Sequence, residues 1–263
     1  MTGQVHGEEE VPPPPPYGQP PLRRFRDCHR LWIERHQLNV QELIRVHNNN
    51  REDEGVIRST VAQVMESYRD YYRILSRLAV HNAPSVVSPA RCTSEFENAY
   101  SWLGGCRPTA YLRLVYVISG LEIGAQLPDL LRLDHDVNLA GLSAHQLNSV
   151  SELQRTTVGL EDELSRRMAS LQEAMADRPL VRLLVLHESQ VVESAAVQSA
   201  LKSYADRLHV IVEHADGLRL NTLRRVLEIL SPLQGLHLLI MASRFHLRLH
   251  EWGRSWDRMH QNV

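Results

Sequence analysis

The stretch LSAHQLNSVSELQRTTVGLEDELSRRMASLQEAM, residues 142–175, decides the fold. Ser143 stands where a hydroxyl caps a helix, Gln146 sits three residues on to reach back, and Leu142 and Leu147 hold the two staple positions. From there Leu147, Val150, Leu153, Thr157, Leu160, Leu164, Met168, Leu171 and Met175 recur at steps of three and four. That is a heptad-like seam of roughly 30 residues, about 45 Å of helix. It reads as a core-facing helix of one domain, with a seam for a second chain as the alternative. Pro179 ends it.

The same period runs outward on both sides. Toward the N-terminus, Phe25, Cys28, Leu31, Trp32, His36, Leu38 and Leu43 form one apolar face, broken at Asn48 to Asn50. A second helix is expected from Asp53 or Glu54 to about Ala79, on Val56/Ile57, Val61, Val64/Met65, Tyr68, Tyr72 and Leu75, with a loop from Asn82 to Pro89. A helix carrying Phe96, Tyr100, Trp102 and Leu103 is expected to stop at Gly104-Gly105, since glycines tolerate positive φ. Pro108 then opens a helix bearing Leu112, Val115, Tyr116, Ile118 and Leu121. Toward the C-terminus, helical patterns cover about His187 to Ala215 and Leu218 to Leu230. Ser231-Pro232-Leu233-Gln234 then starts a last helix through Leu236, Leu239, Ile240, Phe245, Leu249 and Trp252. No alternating strand and no Asn-Gly turn interrupts this pattern. The chain reads as all-α: a single multi-helix bundle over residues 22–263, with long amphipathic helices. A disordered acidic and proline-rich arm, residues 1–21, precedes it.

That arm carries Glu8 to Glu10 and then Pro12 to Pro16, Pro20 and Pro21. Consecutive prolines favour an extended, solvated segment that an SH3-like or profilin-like partner could also grip. The 263 residues are 43% hydrophobic and 23% charged, with a formal net charge of −2, so no global field draws the chain to nucleic acid or anionic lipid. Cys28, Cys92 and Cys106 lack a metal or disulfide spacing, which points to a reduced compartment. The N-terminus is not secretory in pattern. The stretch Leu112 to Leu127, broken by Arg113 and Glu122, is too short and too charged to span a bilayer.

Catalytic signatures are missing. There is no phosphate-cradling glycine loop after a strand, no G-x-S-x-G elbow, and no nucleophile matched to a base by a recognised spacing. The expectation is therefore a protein that is not an enzyme. Among 14 histidines, His246 and His250 stand at i and i+4, on one helical face, where two imidazoles can grip one metal, or one can ligate a haem iron while the other lies nearby. The competing reading is a polar stripe beside the apolar one. Asp134-His135-Asp136 reads as a solvated loop in preference to a cation site. Arg219 to Arg225, with Arg244, Arg248 and Arg254, form basic stripes. These read as solvated faces, with a phosphorylated partner or acidic headgroups as the alternative.

The run Ser101-Trp102-Leu103-Gly104-Gly105-Cys106-Arg107-Pro108-Thr109 resembles the Trp-x-Gly-Gly-x-Arg-Pro-Ser/Thr signature of the plant delay-of-germination (DOG) domain. Leu142 to Leu147, Ala215 to Leu223, Ile229 to Gln234, Trp32 and His250-Glu251-Trp252-Gly253 agree in order. The resemblance covers residues 22–263. The domain also forms the C-terminal half of TGA-type bZIP transcription factors, but no basic region with a zipper is read here. The resemblance implies a stand-alone scaffold or adaptor, most like the inaperturate-pollen branch. Such a protein is cytoplasmic, gathers peripherally at plasma-membrane domains where pollen apertures form, and partners other proteins, a paralogue of the same family among them. It would have no autonomous nucleic-acid binding and no cofactor. The seed-dormancy branch implies the alternative: a haem- or metal-responsive regulator with His246 and His250 as ligands. A nuclear cofactor of bZIP factors is the third reading. Trp102, Gly104, Gly105, Arg107 and Pro108 are expected to form a structural corner: the Trp anchors, the glycines reverse the chain, and Pro108 starts the next helix.

Overall fold

The structure is a computed structural model describing residues 21–89, 92–120, 141–176 and 195–260. Within them run seven helices: α1 (Pro21–Asn49), α2 (Glu54–Val87), α3 (Glu95–Tyr100), α4 (Thr109–Ile118), α5 (Ala144–Met175), α6 (Ala195–Ile229) and α7 (Pro232–His260). No strand occurs among the described residues, so the all-α expectation holds. The arm up to Pro20, the Asp134 to Asp136 loop, Leu121, Pro179 and the expected helix start at His187 lie outside them, while Pro21, read as the arm's last residue, opens α1.

The first half of α7 organises the bundle. Residues Gly235 to Ser243 are buried without a break, the pattern of a helix surrounded on every side. The whole of α7 packs on α1, α2, α3, α4 and α6. Helix α2 lies against α1, α6 and α7, and α5 packs on α6. The core joins Leu43 and Val46 of α1, Tyr68 and Leu75 of α2, Tyr111 and Val115 of α4, Leu164 and Leu171 of α5, and Val212 and Leu223 of α6.

The long α5 seam is internal. Val150, Thr157, Leu164 and Leu171, seven residues apart in turn, are its buried positions, joined by Glu161. Its capping box forms as read: the Gln146 N–H donates to the Ser143 hydroxyl at 3.1 Å, and the Ser143 N–H to the Gln146 side chain at 3.0 Å. Ser231 and Gln234 repeat the device at the start of α7, at 3.3 and 2.9 Å. The Gln146 amide joins the two boxes, donating to the Ile229 carbonyl at 3.0 Å and to Gln234 Oε1 at 2.8 Å.

Several local expectations are corrected. The loop at Asn82–Pro89 is a kink followed by more helix: Asn82 leaves helical geometry (φ −158°, ψ 74°) and its side chain accepts the Ser85 N–H at 3.2 Å. Asn82 thus caps a fresh turn in which Pro84 falls early enough that its missing N–H costs nothing. The break between Ala215 and Leu218 does not exist, since α6 is continuous. One interior glycine costs about 1 kcal/mol, which packing on both sides outweighs. Leu31, Leu38 and Leu160, placed on apolar faces by their spacing, are 47%, 56% and 42% exposed. Neighbours at better angles, Cys28, Trp32, Val40, Leu43, Thr157 and Glu161, take the interior.

Candidate functional site: an arginine corner beside a histidine–carboxylate cluster

Trp102 and Leu103 do not continue α3, which ends at Tyr100. Instead Trp102 to Gly105 fold into a tight turn, with the Trp102 N–H donating to the Gly105 carbonyl at 2.6 Å and the Gly105 N–H to the Trp102 carbonyl at 3.2 Å. Its central residues are left-handed, Leu103 at φ 48° and Gly104 at φ 83°. The pair is the signature of a mirror-image two-residue turn, where glycine is favoured and leucine is strained. Gly105 itself is not left-handed. Its lack of a side chain serves packing, because an added Cβ would lie 3.0 Å from Cζ of Arg219.

Arg219 holds the corner together. The reading of Arg219 as part of a solvated basic stripe is corrected: its side chain is fully buried. Nε donates to the Cys106 carbonyl at 2.7 Å, and Nη2 donates to the carbonyls of Trp102 and, at 3.1 Å, Leu103. Nη1 donates to Asp216 at 2.5 Å. The guanidinium lies 5.4 Å from the centre of the Trp102 ring, and that of Arg107 lies 5.6 Å from it. Trp102 Nε1 donates to Ser165 of α5 at 3.0 Å. Burying a cation is costly unless its donors are met, and here a carboxylate and three carbonyls take four of its five N–H donors. Burial pushes the Asp216 carboxyl up to about 6, against the pull of Arg219.

A second buried carboxylate finishes the corner. Glu161 of α5 accepts the Thr109 N–H at 2.8 Å, the Thr109 hydroxyl at 3.2 Å and Arg107 at 3.3 Å. Pro108 offers no side-chain cap, so α4 is capped from another helix, with negative charge at its positive end. The five signature residues thus lie together at this turn and the start of α4. Arg219, Asp216 and Glu161 were missed. The signal was there: Val212, Ala215, Arg219, Thr222 and Val226 keep one helical face, and Glu161 lies between Thr157 and Leu164 on the seam.

His246 and His250 do not converge. His250 Nδ1 lies 3.0 Å from Glu97 Oε1, and His29 Nε2 lies 3.3 Å from the same oxygen. His246 turns instead to His36, ring to ring at 5.3 Å, and to the Cys106 thiol. Burial holds the His36 ring well below its ordinary value, and His246 adds to that. Burial raises Glu97, but hydrogen bonds from His250, His29 and Ser94 outweigh it and hold the carboxyl well below the usual carboxylate range. Glu97 is placed by α3, whose N-cap Ser94 packs on Gly253 of α7. A Cβ added there would meet Ser94 Cβ at 2.7 Å. The Glu95 N–H also donates to Asp257 at 3.2 Å.

A cleft of about 100 Å³ opens between these groups, lined by His29, Trp32, Tyr71, Glu97, Tyr100 and His246. That is well under the ~300 Å³ of a small-molecule pocket. His246 and His250 face different partners.

The sequence model of the family described as "DOG1: Seed dormancy control" matches residues 39–117, a span that includes the Trp102–Pro108 corner. The chain carries a match to the DOG domain and is similar along most of its length to proteins named DOG1-like. It is similar to Protein DOG1-like 3 of Arabidopsis thaliana, 28% identical over 240 residues, covering 87% of this chain and 83% of that one. Protein ZW2 of the same plant is 24% identical over 231 residues, 84% of this chain and 92% of that one. Transcription factor TGA2 of Arabidopsis is 27% identical over 229 residues, 87% of this chain but 63% of that factor.

Proposed function

We propose that this protein is a non-enzymatic adaptor that works by holding other proteins. One observation carries the reading. Phe96, Tyr100, Trp252, Trp256 and Met259 stand 37–63% exposed on α3 and the end of α7, with Phe96 and Trp256 in edge contact at 5.3 Å. Exposed aromatic residues clustered in this way are the usual anchors of a protein–protein interface. The buried charged groups of the corner, by contrast, are spent on each other and on backbone, and the cleft is small. Both favour association over turnover.

The finer placement follows the family resemblance: a cytoplasmic protein gathering at plasma-membrane domains during pollen-aperture formation, with a second DOG-domain chain as partner. No described helix is long and apolar enough to cross a membrane, so the membrane is reached peripherally in this reading. Affinity capture of the tagged chain from pollen-forming tissue tests it. The wild type is expected to retain another DOG-domain protein that Trp252→Ala/Trp256→Ala releases, with equal thermal unfolding in both. Equal retention by the two would sink the reading. The likeness to TGA2 supports a second one, a cofactor of bZIP factors; binding to such a factor in the absence of any affinity for DNA would favour it.

A further inference from the structure

We propose that His29, Glu97 and His250 form a binding site for a divalent transition-metal ion of the zinc class. Among the described residues they are the group of three potential ligands whose donor atoms, His29 Nε2, Glu97 Oε1 and His250 Nδ1, all lie within 4.8 Å of one another. The residues come from three elements, α1, α3 and α7, so the convergence is tertiary and not an accident of helical spacing.

The distances suit an ion. Ligands at 2.0–2.1 Å from zinc stand about 3.3–3.4 Å apart along a tetrahedral edge. The two ring nitrogens lie 3.0 and 3.3 Å from Glu97 Oε1. The carboxylate is aimed in advance: Oε2 accepts the Ser94 N–H at 2.9 Å and the Ser94 hydroxyl at 2.7 Å, which leaves Oε1 to face the rings. Outer hydrogen bonds of this kind orient metal ligands. The three side chains are 12–18% exposed, dry enough to strengthen a charge interaction and open enough for an ion to enter. Two imidazoles and one carboxylate are ligands that zinc accepts, with a fourth position open to water, and all but His250 are among the residues that line the cleft. On binding, each ring coordinates through the nitrogen that faces Oε1, and a proton on that nitrogen leaves for the far nitrogen or for solvent.

The test uses the full chain, stripped with chelator and titrated with zinc sulfate by calorimetry, with cobalt(II) absorption as a second readout. One equivalent is expected, with the intense visible bands of tetrahedral cobalt. His29→Ala and His250→Ala should each weaken binding at least roughly tenfold. Glu97→Gln keeps the Ser94 capping box but removes the charge, and should weaken binding as well. His246→Ala, four residues from His250, should bind normally. No saturable binding, retention of the site in His29→Ala, or an equal loss in His246→Ala would overturn the proposal. If an alanine variant fails to fold by circular dichroism, Glu97→Gln decides alone. The outcome is independent of partner capture, which reads Trp252 and Trp256.

Discussion

The arginine corner and the histidine–carboxylate cluster lie on either side of one small cleft and handle buried charge in opposite ways. At the corner a cation is taken wholly out of water and every donor used is answered by a fixed acceptor. At the cluster a carboxylate keeps a window to solvent and faces two imidazoles. Burial wins over attraction for Asp216, pushed up to about 6, while hydrogen bonds win over burial for Glu97, held well below the usual range. The first arrangement fixes a backbone shape. The second gathers three ligand-type side chains from three helices.

The comparison breaks most sharply at Arg219. Arg219→Met should cost about 3–5 kcal/mol in chemical denaturation, because it strands Asp216 and three buried carbonyls. A loss under about 1 kcal/mol would mean the corner is held by packing alone. Next comes Gly105→Val, expected to cost about 1–3 kcal/mol by overpacking against the guanidinium and not through backbone strain. Arg219→Met and Gly105→Val combined should then cost less than the sum of the two.

The two carboxyls give pH effects of opposite sign. The folded value of Asp216 lies above the ~3.9 of the unfolded chain, so its contribution is full below about 3.9 and is lost as pH rises toward about 6. The folded value of Glu97 lies below the ~4.3 of the unfolded chain, so its contribution is full above that and is lost as pH falls. Glu97→Gln should therefore flatten the acid side of a stability profile, and Asp216→Asn the side from about pH 4 to 6. Smallest of all, Leu38→Ser should change stability by no more than about 0.5 kcal/mol, since Leu38 faces solvent despite its place in the apolar rhythm. A larger loss would return Leu38 to the core.

Much of the architecture was legible because capping boxes and three- and four-residue steps are local signals. Ser143 with Gln146 and Ser231 with Gln234 start helices where their chemistry says they should. What local signals miss is compensation from afar. Asn82 rescues a helix at Pro84, and a continuous pair of packing faces carries α6 through Gly217. The signature around Gly104 was visible as a corner, but its binding partner, Arg219, lies more than a hundred residues on. Its charge disguised it as surface, although its spacing put it inside. His29 and Glu97 escaped for the same reason: one carboxylate and one imidazole on separate helices carry no motif until the fold joins them to His250.

The Gln146 amide touches the end of α6, the start of α7 and the start of α5 at once. The joint at Ser231 is therefore a welded elbow and not a hinge. An extra residue inserted there could not bulge harmlessly outward; it would rotate α7 about its own axis. Since α7 presents His246 and His250 inward and Trp252 and Trp256 outward, one inserted residue would re-aim both faces of the helix together.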